Sequence, residues 1–100
     1  MLEGAKEFAE KHLDAFKERM HITHDEDDNL KRILTSSVVA VAVLVGASAY
    51  DESLVELTFE RAMCDYNDAL DEFRTLYEEE IQDLYFINMV LASEVTEDAP

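Results

Sequence analysis

Between Thr23 and Ala47 the chain passes from a run of acids, Asp25 to Asp28, through Lys31 and Arg32 into Val38-Val39-Ala40-Val41-Ala42-Val43-Leu44-Val45. This last stretch has no polar face, so whatever it forms needs cover on more than one side. A β-branched run of this length also fits a buried strand, because periodicity alone does not separate the two. The flanks favour helix. Leu30, Ile33 and Leu34 recur at helical steps, and no second strand is visible for pairing. Thr23 and Glu26 have the spacing of a capping box, in which the hydroxyl oxygen accepts from a free backbone N–H and the carboxylate reaches back to the cap residue. A helix starting there places Asp25, Glu26, Asp27 and Asp28 in its first turn, at the positive end of the dipole, with Lys31 and Arg32 spaced to pair with them. Gly46 ends it.

At about 100° per residue, Leu30, Ile33, Leu34, Val41, Leu44 and Val45 form one stripe. Val39 and Val43 project from the opposite side, next to Ala42. One core covers only one of these sides. An apolar patch left in water marks a contact surface, so Val39, Ala42 and Val43 are the candidate subunit-interface residues.

The rest of the chain reads as helix packed on this one, giving an all-α fold. From Leu2 to Met20, Ala5, Phe8, Ala9, His12, Leu13, Phe16 and Met20 make a single apolar stripe. The short link His21-Ile22 folds that helix back into a hairpin. Ala47 to Tyr50 is a turn, Asp51 or Ser53 caps the next helix, and Ser53 with Glu56 has the spacing of a second capping box. No Gly or Pro then occurs before Pro100, while Val55, Phe59, Ala62, Tyr66, Leu70, Phe73, Tyr77, Ile81 and Leu84 hold one register. The expectation is one long C-terminal helix, or two that meet near Thr75. Residues 1–92 form a single helical domain, and residues 93–100 a disordered acidic tail.

Composition bounds function more by exclusion. The chain has 100 residues, one cysteine and a formal charge of −16 from 24 acids against 8 bases. Phosphate neutralisation needs clustered Lys and Arg; here the bases are interleaved with acids, and past Met63 only Arg74 remains. The chain is expected to repel nucleic acid. An acidic surface of this kind serves as a solvated face, as a wall that DNA passes without sticking, or as an imitation of DNA. The apolar run is too short to span a bilayer, the mixed-charge start MLEGAKEFAE is not expected to direct secretion, and Cys64 alone forms no internal disulfide, which suits a reducing cytoplasm.

No reactive set stands out, and neither an enzyme nor a cofactor is expected. His21 and His24 beside Asp25-x-Asp27-x-Asn29 open like a calcium loop, but Leu30 stands where the turn needs glycine and Ser36 where a bidentate glutamate belongs. The residues near Cys64 along its helix are Arg61, Asp65 and Asp68, and carboxylates raise a thiol's pKa. Tyr66, Tyr77, Tyr85 and the five phenylalanines fall on core positions.

The phrase FKERMHITHDEDDNLKRILTSSVVAVAVLVG, followed by LVELTFERAMCDYNDALDEF and an acidic EEEIQDL segment, resembles the head-tail connector proteins of tailed bacteriophages over roughly Phe16 to Leu84. Its strongest pieces are His21 to Asn29, Phe59-Glu60-Arg61-Ala62 and Tyr66-Asn67-Asp68; none is a catalytic signature. The resemblance implies a small helical subunit that assembles into a homo-oligomeric ring, of about a dozen copies, between the portal protein and the next neck or tail component. DNA would cross its lumen without specific binding. The location implied is the virion neck, with assembly in the host cytoplasm and no membrane. An alternative from another class is an acidic DNA-mimic inhibitor of a basic nucleic-acid-processing protein.

Overall fold

A computed structural model describes the backbone of residues 3–97 and the side chains of residues 3–93. The described residues form an all-α fold, without strands. The elements are α1 (Ala5–Met20), α2 (Asp27–Val45), α3 (Val55–Tyr66), the single turn α4 (Phe73–Leu76) and α5 (Glu78–Glu97). Short 3-10 turns, Glu52–Leu54 and Leu70–Glu72, precede α3 and α4.

α1 buries Phe8, Ala9, His12, Leu13 and Phe16, the stripe expected of it; Leu2 lies outside the described residues. α1 and α2 form the antiparallel hairpin. Ala9, Leu13 and Phe16 meet Leu30, Ile33 and Leu34 near the link, together with Phe59 and Ala62 of α3. At the other end Phe8 meets Val38, Val41, Ala42 and Val45, closed by Leu54, Leu57 and Phe73. The ring of Phe16 packs on that of Phe59 at 5.3 Å.

α1, α2 and α3 end in one motif. His21, Gly46 and Asp68 adopt the left-handed conformation, with φ of 57°, 62° and 58°. In each case the following N–H reaches back five residues: Ile22 to the Lys17 carbonyl, Ala47 to that of Ala42, and Ala69 to that of Cys64. These are Schellman endings, which satisfy carbonyls the helix leaves free.

The N-termini depart from expectation. α2 begins at Asp27; its N-cap residue is Glu26, whose side chain makes no capping bond, and the first N–H, that of Asp27, donates to the Asp25 carboxylate rather than to Thr23. The Thr23–Glu26 box does not form because Glu26 is held elsewhere: its carboxylate accepts from the hydroxyl of Tyr66, at the far end of α3, at 2.6 Å. Asp27 pairs with Lys17 of α1 at 2.8 Å, and Arg32 donates to Asn29, so the expected pairing of Lys31 and Arg32 with first-turn acids is replaced. The Ser53–Glu56 box does not form either. Asp51 caps the turn before α3, accepting from the backbone N–H of Ser53 at 3.0 Å.

The long C-terminal helix is broken, first at Asn67–Ala69 and again at Tyr77, two residues past Thr75. Length is the reason. A straight helix from Val55 to Leu84 would run about 44 Å, whereas α2 offers about 28 Å to pack on. α3 has used up α2 when Tyr66 reaches Glu26, so the chain turns at Asp68 and Leu70 is left exposed. The return path puts Phe73 into the core at the Val38–Val45 end, with Tyr77, Ile81 and Leu84 packed against it. α5 then passes the end of α2, where Asn88 donates to the carbonyl of Val45 at 2.8 Å. The molecule measures 54 × 28 × 20 Å. Ser93 to Glu97, expected in a disordered tail, continue α5, and residues 98–100 lie outside the described residues.

Candidate interaction surfaces

The polar groups inside the fold are structural ties. Glu26 accepts from Tyr66, contacts His24 Nε2 at 2.6 Å and accepts from Asn29 at 3.3 Å. The Tyr66 hydroxyl, and after it His24, holds the Glu26 carboxyl below the usual carboxylate range. Glu60 is shared, one oxygen accepting from Arg19 at 2.9 Å and the other from the Tyr77 hydroxyl. Arg61 donates to the buried hydroxyl of Ser37 at 3.1 Å, linking α3 to α2. His12 is buried against Phe8, its ring 4.4 Å away.

His21 forms the turn after α1, and the Asp25 carboxylate accepts from the N–H of Asp27. Among the described residues no group of three or more His, Cys, Asp or Glu side chains converges as a set that could hold a metal ion. Burial, and then the Glu60 and Glu72 carboxylates, push the Cys64 thiol up, so it stays protonated at neutral pH. The acids that matter to Cys64 are therefore Glu60 and Glu72, not the Asp65 and Asp68 suggested by spacing. No helix of the described residues is long and apolar enough to cross a membrane.

Two surfaces stand apart from this closed interior. The first is a shallow groove between the start of α1 and the outer side of α2. Val39 is 41% exposed and Val43 78%, as their angular position predicts, whereas Ala42 is only 4% exposed and packs in the core of its own chain. The interface candidates of α2 are thus Val39 and Val43 without Ala42. Lys6, Lys31 and Arg32 line the same groove beside Val39. Lys11, Lys17 and Arg19 are bound in ion pairs with Glu52, Asp27, Glu56 and Glu60, but Lys6, Lys31 and Arg32 form none among the described residues.

The second surface is the distal half of α5. Tyr85, Phe86, Ile87, Met89, Val90 and Leu91 are all exposed. Ile81, Leu84 and Asn88 face the bundle, so helical spacing puts Phe86, Met89 and Val90 on the opposite side. Their exposures are 66%, 53% and 43%. This corrects the expectation that Tyr85 and all five phenylalanines are core: Phe8, Phe16, Phe59 and Phe73 are buried, and Phe86 is not. The signal was present in Tyr85-Phe-Ile-Asn-Met-Val-Leu91, a second stretch that is apolar all round and interrupted only by Asn88. A contiguous apolar surface of this kind on a monomer marks a contact site.

No family model matches the chain, and no curated protein or solved structure is similar to it.

Proposed function

We propose that the chain is a structural assembly subunit, a ring-forming head-tail connector that sits between a portal and the next neck component and lets DNA pass through its lumen. The observation that carries this reading is the distal half of α5, where Phe86, Met89 and Val90 are exposed on the side away from the bundle. An isolated chain would hold them in water, and a neighbouring copy removes that cost at roughly 25 cal/mol per Å² of apolar surface covered. Two further features support it. The charge of −16 suits a wall beside DNA that must slide rather than stick. The specific place of the ring, between portal and neck, is what the resemblance of Phe16 to Leu84 to connector proteins suggests.

The test is native mass spectrometry of the purified protein across concentration, with electron microscopy of the largest species. Closed rings whose population grows with concentration are expected. A protein that remains monomeric throughout, and instead captures a basic nucleic-acid-binding protein with strong salt dependence, overturns the assembly reading in favour of the DNA-mimic alternative.

A further inference from the structure

We infer that the subunits join head to tail, the outer face of α5 of one copy seating in the α1–α2 groove of the next. This rests on the assembly reading above and specifies its contact. The argument begins with charge. Of the five bases that form no ion pair among the described residues, Lys6, Lys31 and Arg32 line the Arg32–Val39 part of the groove, where Glu10 is the acid beside them, while Glu3 and Glu7 line the part at Val43. α5 carries the opposite character: Glu79 and Asp83 are exposed ahead of Phe86 and Val90, and between Glu78 and Ser93 there is no base.

Spacing sharpens the match. Arg32, Val39 and Val43 fall seven and four residues apart on α2, and Glu79, Phe86 and Val90 fall seven and four apart on α5. Each set therefore lies along one stripe of its helix, about 10 Å and then about 6 Å apart. Laid side by side in the same direction, the helices bring Arg32 to Glu79, Val39 to Phe86 and Val43 to Val90. The Arg32 guanidinium is already positioned by its bond to Asn29, at 2.9 Å. A second α5 offers no positive charge to Glu79 and Asp83, and at the Arg32 end a second groove meets Lys6, Lys31 and Arg32 with three bases against one acid, Glu10. The two faces are thus complementary to each other rather than to themselves, which makes the contact heterologous, the kind that generates rings when the rotation closes.

The experiment uses two full-length variants, Phe86→Glu/Val90→Glu with a spoiled α5 and Val39→Glu/Val43→Glu with a spoiled groove. Circular dichroism checks that both fold. Each alone is expected to be monomeric, its dissociation constant raised about thirtyfold or more. Mixed, they retain one intact α5 and one intact groove between them, and a 1:1 heterodimer that grows no further is expected. Should the groove variant fail to fold, Arg32→Glu replaces it. Arg32→Glu and Glu79→Arg should each weaken assembly about two- to fivefold and restore it when combined in one chain. If the wild type assembles but the mixture stays monomeric, or either double variant assembles normally, the head-to-tail contact is wrong while self-association stands. A wild type that never associates overturns both.

Discussion

The hydroxyl of Tyr66 donates to the carboxylate of Glu26 at 2.6 Å, tying the last residue of α3 to the residue just before α2 across forty positions of sequence. This bond is why the acid of an apparent capping box does not cap. It also makes the start of α2 dependent on α3 being docked.

That dependence has a pH signature. The Glu26 carboxyl is held below its ordinary value of 4.5, first by Tyr66 and then by His24. A carboxylate with a depressed folded value contributes stability above its unfolded value, and the contribution is lost as pH falls through the lower folded one. Tyr66→Phe should therefore lower the melting temperature at neutral pH. The difference from the wild type should shrink toward zero as acid protonates Glu26. Thermal melts of both proteins across pH provide the check, and a difference that persists unchanged in acid would count against the bond.

Tyr77 should be the late-titrating tyrosine. Its hydrogen bond to Glu60, then burial, push the phenol up to about 12. Here the neutral form is favoured by the fold, so the contribution is complete below the unfolded value of about 10 and is lost as pH rises through about 12. Ultraviolet absorbance of the phenolate, with Tyr77→Phe to assign the signal, should show this step. Glu60→Gln should move it down toward the ordinary value.

The three left-handed helix endings differ in how well their residues suit them. A side chain costs about 1–2 kcal/mol in that conformation, with Asp better tolerated than most. His21→Gly should stabilise by about 1 kcal/mol, and Asp68→Gly by less. Gly46→Ala should destabilise by about 1 kcal/mol. A Cβ at Gly46 would meet nothing within 4 Å, so that cost is conformational alone. Chemical denaturation of the three variants measures all of it.

Thr58 is fully buried, and its hydroxyl has no hydrogen-bond partner among the described residues. Ser37, equally buried, differs in accepting from Arg61. Removing an unsatisfied buried hydroxyl relieves its desolvation cost, so Thr58→Val should raise stability by about 1 kcal/mol. Ser37→Ala should lower it by stranding the guanidinium. Melting temperatures of the pair that move in the same direction would contradict this.

The local and one-sided part of the fold is legible in the sequence. The helical class, the hairpin through His21-Ile22, the inward stripe of α1, the end of α2 at Gly46 and the outward aim of Val39 and Val43 all come from periodicity and a few backbone preferences. These act within a turn or two of helix, so they are written in neighbouring residues. Tertiary packing settled whatever required knowing how far an element could travel before its partner ran out. An apolar register from Val55 to Leu84 is compatible with one rod, and only the finite length of α2 makes the chain turn at Asp68 and bury Phe73. Arrangement also decides burial. Ala42 and Phe86 both sit in stretches that are apolar on every face, yet Ala42 packs in the core of α2 and its neighbours, and Phe86 lies on the side of α5 turned away from the bundle. Hydrophobicity sets what a side chain gains by being covered, and only the arrangement of helices sets whether its own chain supplies the cover.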